Sequence, residues 1–503
     1  MTDDAASRAG GRRLVSGVAW NALGRGLPLL LALALTPVLV SQLGIERWGL
    51  FTLALALVGV FGMLDLGVGP ALTRALSERI GAGEKEGEGA LVASALAALI
   101  ASSAVFAAFA WWGVGPLVRH VLNVPDALVA EAVAAMRVLV AAAPLVVANA
   151  ALWGVLAAHQ RFRAANLVTI PVSIFYYLGP VLALMAWNSL VSAMLALVAC
   201  RLANTISYAW LVRPLVPGIR FGAIRPALVV PLLRFGGWMT FSSALTQALL
   251  YADRFIIGAL LTLSAVAFYA TPLDLVLRFW ILPVAVAQAL LPALASSFRT
   301  MKAETVALLR RGTLLITAIV LPAAIILVTF ARPLLHLWLG PAFAEGGGDV
   351  LRILGVGILF NCAAFAATSL IEAVGRPDLT ARFSLAQAVV FVPLSALLVT
   401  TVGIEGAAIA WTLRAALDCA GRFTLAARVY PEAAEAVRAL ALPLGLSGAG
   451  LALAAALPTI TAALAVGAVT AGGFAVLGWR GLPAEDRAAL ALALRSPASV
   501  LRR

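Results

Sequence analysis

Charge is scarce in this chain. Only 12% of its 503 residues are Asp, Glu, Lys or Arg, and the basic residues include just two lysines, Lys85 and Lys302. Soluble globular domains carry roughly 25% charged residues, so most of this surface is not built to face water. Cysteine is nearly absent as well: Cys200, Cys362 and Cys419 stand alone, with no CxxC pair. Histidine is limited to His120, His159 and His336, which do not cluster. These shortages exclude a disulfide framework and a Cys/His metal centre. No spaced acid–base cluster occurs on the longest outer loops, near 114–131 and 334–349, so the chain does not read as an enzyme and no metal or cofactor is expected.

Apolar residues fill the gap: 63% of the chain is hydrophobic, at a mean hydropathy of +1.02. A helix needs roughly 20 mostly apolar residues to cross a bilayer. Runs of that length predict an all-α polytopic membrane protein with fourteen transmembrane helices. They fall near 16–41, 48–71, 90–113, 133–157, 167–187, 190–212, 236–261, 265–291, 312–333, 350–374, 380–401, 404–427, 438–457 and 459–479. Arginines crowd one class of connecting loops, including Arg74, Arg79, Arg161, Arg163, Arg213, Arg220, Arg225, Arg299, Arg376, Arg382 and Arg428. The other class holds little beyond Arg47, Arg119, Arg137, Arg332 and Arg352. By the positive-inside bias, both termini are expected in the cytoplasm. The net charge of +13 is largely this topological signal. Because the basic groups are scattered over short loops, no nucleic-acid partner is expected.

The chain also repeats itself. A shift of 218 positions carries Trp20 onto Trp238, Leu43 onto Leu261, Phe51 onto Tyr269 and Ala71 onto Ala289. Further on, Trp153 to Arg163 aligns with Ser369 to Pro377 at a similar offset. Six spans per copy keeps both copies in one orientation, which predicts two six-helix lobes related by an axis along the membrane normal. The expected organisation is an amino-terminal lobe over 1–212, a cytoplasmic linker over 213–231 and a carboxy-terminal lobe over 232–430. An extra helix pair over 431–480 and a cytoplasmic tail over 481–503 complete it.

Ionisable groups inside spans cost several kcal/mol unless they face a cavity or a partner, so they mark candidate function. They are Arg25, Asp65, Arg201, Asp253, Arg254, Asp274, Arg278, Arg414 and Asp418. Spacing of four residues lets Asp274 pair with Arg278 and Arg414 with Asp418. An Arg25–Asp65 lock between neighbouring helices is expected from their similar depth. Asp253 and Arg254 point about 100° apart and cannot fully satisfy each other. Arginine stays charged and grips oxyanions in a fork, which makes Arg25, Arg254, Arg278 and Arg201 candidate substrate-binding groups. Asp65, Asp253 and Asp274 are candidate coupling groups. Pro28 and Pro37, both inside the first span, are candidates for a gate.

The segment Thr36-Pro37…Leu43-Gly44…Trp48-Gly49-Leu50-Phe51…Leu64-Asp65-Leu66-Gly67…Ala71-Leu72-Thr73-Arg74 resembles the amino-terminal signature of bacterial Wzx-type polysaccharide flippases. These belong to the multidrug/oligosaccharidyl-lipid/polysaccharide exporter superfamily. Tyr251-Ala252-Asp253-Arg254-Phe255-Ile256-Ile257-Gly258 followed by Phe268-Tyr269 is similar to the start of that family's second half, with Ala267 where the family carries a Gly-type position. The resemblance implies two lobes around a cationic cavity lined by Arg25 and Arg254. It implies export of a polyprenyl-diphosphate-linked oligosaccharide across the bacterial inner membrane, for O-antigen or exopolysaccharide synthesis. Coupling to H+ or Na+ and contact with a polysaccharide polymerase or ligase complex would accompany that role. The alternatives are a cation-coupled multidrug exporter on the same scaffold, which should be poor in cavity arginines, and a lipid II flippase.

Overall fold

A computed structural model describes residues 2–61, 68–83, 87–230, 249–482 and 487; the side chains of residues 2–27, 60, 61, 68, 70, 71 and 221 lie outside that description. Among the described residues the chain is helical throughout, without strands. The first unit, Met1–Ala267, holds α1 (Thr2–Phe61), α2 (Val68–Ala82), α3 (Glu88–Pro116), α4 (Asp126–Ala141), α5 (Ala143–Ala158), α6 (Phe162–Ala186), α7 (Leu190–Val212) and α8 (249–260). α9 (Leu263–Leu277) crosses the boundary between units. The second unit, Phe268–Arg503, continues with α10 (Ile281–Ser297), α11 (Lys302–Thr329), α12 (Ala331–Leu339), α13 (Pro341–Ala373), α14 (Pro377–Val402), α15 (Ile404–Val429), α16 (Ala434–Ala456) and α17 (Ile460–Gly481).

Eleven stretches among the described residues are long and apolar enough to cross a membrane. Three physical details separate that number from the fourteen expected spans. The first two expected spans form one helical run, α1, broken only at Gly44, whose φ of 75° suits a residue without Cβ. Residues 231–248 of the expected span 236–261 lie outside the description. α15 matches the expected span 404–427, but Glu405, Arg414, Asp418, Arg422 and Arg428 make it too charged to qualify on apolarity.

Helical dihedrals continue through Pro28 and Pro37, the gate candidates, and the one non-helical residue inside α1 is Gly44. Pro144 does act as a breaker: it opens α5 just after the turn at Ala142. Pro171, Pro180, Pro322 and Pro393 all sit inside unbroken helices.

The repeat is visible in backbone detail. α4 and α5 together span Asp126–Ala158, and α13 spans Pro341–Ala373, each 33 residues long at an offset of 215. The turns that follow are superimposable in their hydrogen bonding. His159, Gln160 and Arg161 donate to the carbonyls of Val155, Ala157 and Leu156 at 2.9–3.1 Å. Val374, Gly375 and Arg376 donate to Leu370, Glu372 and Ile371 at 2.9–3.0 Å. Neighbour relations repeat too: α5 packs on α2, α3 and α7 as α13 packs on α10, α11 and α15, and α6 packs on α7 as α14 packs on α15. α16 and α17 pack on each other and against α11, and α16 also touches α13.

Small residues set the helix separations, as expected where lipid offers no hydrophobic drive between helices. A Cβ on Gly357 of α13 would lie 2.6 Å from the Trp411 ring of α15, and one on Gly467 of α17 would lie 2.6 Å from Ile325 of α11.

Candidate functional site

In the first unit, α8 carries the adjacent ions Asp253 and Arg254, at 0% and 3% exposure. Charges taken out of water require fixed surroundings. The Arg254 guanidinium carbon lies 5.3 Å from the centroid of the Tyr251 ring one turn earlier. Tyr251 in turn packs on α1 at Gly59, where a Cβ would come within 2.7 Å of its ring carbon Cζ. The carboxy-terminal end of α8 is tied down by Asn123, whose backbone N–H donates to Gly258 O at 2.8 Å and whose side-chain amide donates to Leu261 O at 2.8 Å and Ala259 O at 3.1 Å. Six residues separate Arg254 from that anchored end, about 9 Å along a helix.

A second polar group lies where α5, α6 and α7 meet. The Arg201 guanidinium carbon sits 5.6 Å from the Tyr176 ring, and Tyr176 meets Tyr177 edge-on at 5.5 Å. Asn149 of α5 donates to the Arg201 carbonyl at 3.2 Å, and the Thr169 and Tyr208 hydroxyls share a hydrogen bond of 2.6 Å. Cation–π contacts of this kind contribute about 0.5–2 kcal/mol, more when desolvated.

The charges of the second unit are arranged differently from the spacing argument. Asp418 pairs with Arg422, not Arg414: Arg422 Nε lies 2.8 Å from the carboxylate and Nη1 donates to Thr368 Oγ1 at 2.8 Å. Arg414 instead rests on Phe391, 5.0 Å from its centroid. Among the described residues Arg278, which opens the 3-10 turn Arg278–Trp280 after α9, makes no ion pair with Asp274. The side chain of Arg25 and the whole of Asp65 lie outside the described residues, and with them the expected lock.

Sequence reasoning passed over two polar ties. Glu131 accepts from Arg47 Nε at 2.9 Å and from Leu190 N at 2.7 Å, joining α1, α4 and the start of α7. Arg332 holds Asp349 at 2.7 Å. Arg47 follows the kink of α1 at Gly44 and Arg332 lies in the first turn of α12, so both ties brace places where the chain changes direction. Among the described residues no cluster of His, Cys, Asp and Glu could hold a metal ion.

Two units with a shared helix order, helical and largely apolar, with the Arg254 guanidinium buried and those of Arg201 and Arg414 beside aromatic rings, define a multi-pass membrane protein of the transporter class. The chain belongs to the polysaccharide biosynthesis protein family, whose sequence model matches residues 14–298. It is 27% identical over 410 residues to a Shigella flexneri protein named "Putative O-antigen transporter", covering 80% of this chain and 96% of that one. Among solved structures it is similar in fold to an inward-facing multidrug resistance MATE family transporter of the MOP superfamily (TM-score 0.72, 17% identity, 82% of this chain and 98% of that one). It is also similar to the lipid II flippase MurJ in an inward closed conformation (TM-score 0.68, 11% identity, 92% of this chain and 99% of that one).

Proposed function

We propose that the protein moves a lipid-linked oligosaccharide from the cytoplasmic to the outer leaflet of a bacterial inner membrane, as a flippase for surface polysaccharide synthesis. The observation that carries this reading is Arg254, a guanidinium with 3% exposure held on an aromatic ring in α8, in a chain of the polysaccharide biosynthesis family. A diphosphate cannot cross about 30 Å of hydrocarbon unaided, and a fork of fixed N–H donors is the natural receiver for it. A carrier for cationic drugs would instead favour carboxylates over arginines at such positions. Arg25 and Arg278 are read as further contacts for the same anionic group. Asp253, wholly buried beside Arg254, and with it Asp65 and Asp274, are read as the coupling carboxylates through which H+ or Na+ resets the empty carrier. Both termini are assigned to the cytoplasm, and a polymerase or ligase is the partner that would take up the exported unit.

Glycan display tests the reading. Cells lacking their own oligosaccharide flippase should regain surface polymer when given this chain and lose it with Arg254→Ala at equal membrane abundance. Failure across a panel of glycans, or rescue of a strain lacking only its lipid II flippase, would sink the proposed substrate class.

A further inference from the structure

Arg201 and Arg414 occupy corresponding places in the two units. Arg201 is the twelfth residue of α7 and Arg414 the eleventh of α15. At 1.5 Å per residue both guanidinium groups start about 15 Å along helices that cross a roughly 30 Å core, near its middle. Each stacks on an aromatic ring from the preceding helix, Arg201 on Tyr176 at 5.6 Å and Arg414 on Phe391 at 5.0 Å. Tyr176 and Phe391 are related by 215 positions, the same offset that relates the α5–α6 and α13–α14 turns; the arginines are related by 213. Two positions are lost in all: the connector shrinks by two, from three residues between α6 and α7 to Gly403 alone, α14 is one residue longer, and Arg414 stands one place earlier in its helix than Arg201.

Two copies of the same pair at the same depth point to a shared task. Among the described residues neither arginine makes an ion pair with a carboxylate, and Arg414 Nε is buried without a hydrogen-bond partner. Each guanidinium lies beside its ring, and Arg201 also reaches the Tyr176 hydroxyl; a guanidinium has five N–H donors, so one such bond leaves others for a ligand. A mid-membrane arginine that has no carboxylate to neutralise it is suited to an oxyanion.

We propose that Arg201–Tyr176 and Arg414–Phe391 are repeat-related binding stations, one in each unit, for the phosphoryl oxygens of a lipid diphosphate. The chemistry named here rests on the flippase reading above. The stations themselves rest on the duplicated geometry.

The test is binding stoichiometry. Farnesyl diphosphate, a short lipid diphosphate, is titrated calorimetrically into the purified full chain in lipid nanodiscs. Besides binding at Arg254, two sites per chain are expected, with Arg201→Gln and Arg414→Gln each weakening one of them about tenfold or more and leaving the other. If a Gln variant is not monodisperse, Arg201→Lys and Arg414→Lys replace them: a point charge without the fork should show a similar loss, and unchanged affinity in both would overturn the proposal. A single site untouched by either substitution would also overturn it, as would displacement of the probe by phosphatidylglycerol, which would hand the stations to bulk phospholipid. Two readouts separate the claims. Restored glycan display with one untouched site defeats only the stations, whereas two arginine-dependent sites without any glycan rescue defeats only the assigned transport substrate.

Discussion

Asp418 has an arginine four residues away in both directions along α15, Arg414 before it and Arg422 after it. Spacing alone leaves both pairs open. An acid placed amino-terminal to its base is the better i,i+4 orientation, which favours Arg422, and Thr368 on α13 gives Arg422 a second acceptor. The first half of that argument was legible in the sequence; the second needs the approach of α13 to α15. With Asp418 at 6% exposure, Arg422→Ala should leave an uncompensated buried carboxylate and cost about 3–5 kcal/mol. Arg414→Ala, by contrast, leaves the Asp418 pair intact and should shift stability far less. Thermal unfolding of the two purified variants checks this, and equal losses would contradict the assigned pairing. Gly357 gives a second residue-level expectation. Its missing side chain admits the Trp411 ring, so Gly357→Val should overpack the α13–α15 contact by about 1–3 kcal/mol and lower the melting temperature.

At the level of elements, the turns after α5 and α13 share their hydrogen bonds but not their residue. The left-handed position is Gln160 in one copy, at φ 55°, and Gly375 in the other, at φ 85°. A side chain there strains the backbone by about 1–2 kcal/mol, and only glycine escapes it. Gln160→Gly should therefore be neutral or stabilising, while Gly375→Gln should destabilise by about 1 kcal/mol. Melting curves of the two exchanges should move in opposite directions or, for Gln160→Gly, not at all; matched losses would show that the turns are not equivalent. Elements whose cue was local were readable beforehand. The break between the first two spans coincides with Leu43-Gly44, and the helices after each turn begin within a few residues of their expected starts. Proline was a poorer guide. Pro144 opens a helix while Pro171, Pro180, Pro322 and Pro393 ride inside helices, because neighbours in a membrane protein can re-satisfy the freed backbone groups. Nothing in the local sequence distinguishes the two outcomes. Among the described residues Asp274 and Arg278 form no ion pair, so four-residue spacing permits such a pair without requiring it.

The whole molecule carries more helix than its repeat requires, and α16 and α17 are the surplus. Their place in the second unit was legible only as two apolar runs beyond the sixth span of the second copy. What they pack against was not, since glycines in apolar helices give no direction. In the structure a Cβ on Gly448 of α16 would collide with the Phe360 ring of α13, and Gly467 of α17 admits Ile325 of α11. The Arg352 Nη1 donates to the Ala455 carbonyl at 3.4 Å, and the end of α15 is held by Tyr430, whose hydroxyl donates to Phe298 O at 3.1 Å. Removing α16 and α17 would expose this surface to lipid rather than to water. Lipid tails are as apolar as leucine, so the cost is lost van der Waals packing and not a hydrophobic penalty. A chain ending at Ala433 should therefore still insert, retain the Tyr430 contact and unfold at a lower temperature than the parent. Gly448→Leu, which pries α16 away from Phe360 without deleting anything, should lower the melting temperature in the same direction and by less. Fluorescence-monitored melting of the solubilised parent, truncation and point variant reads all three. If the truncation melts with the parent, the surplus helices contribute no packing to the second unit, and their glycine contacts with α11 and α13 would be incidental to its stability.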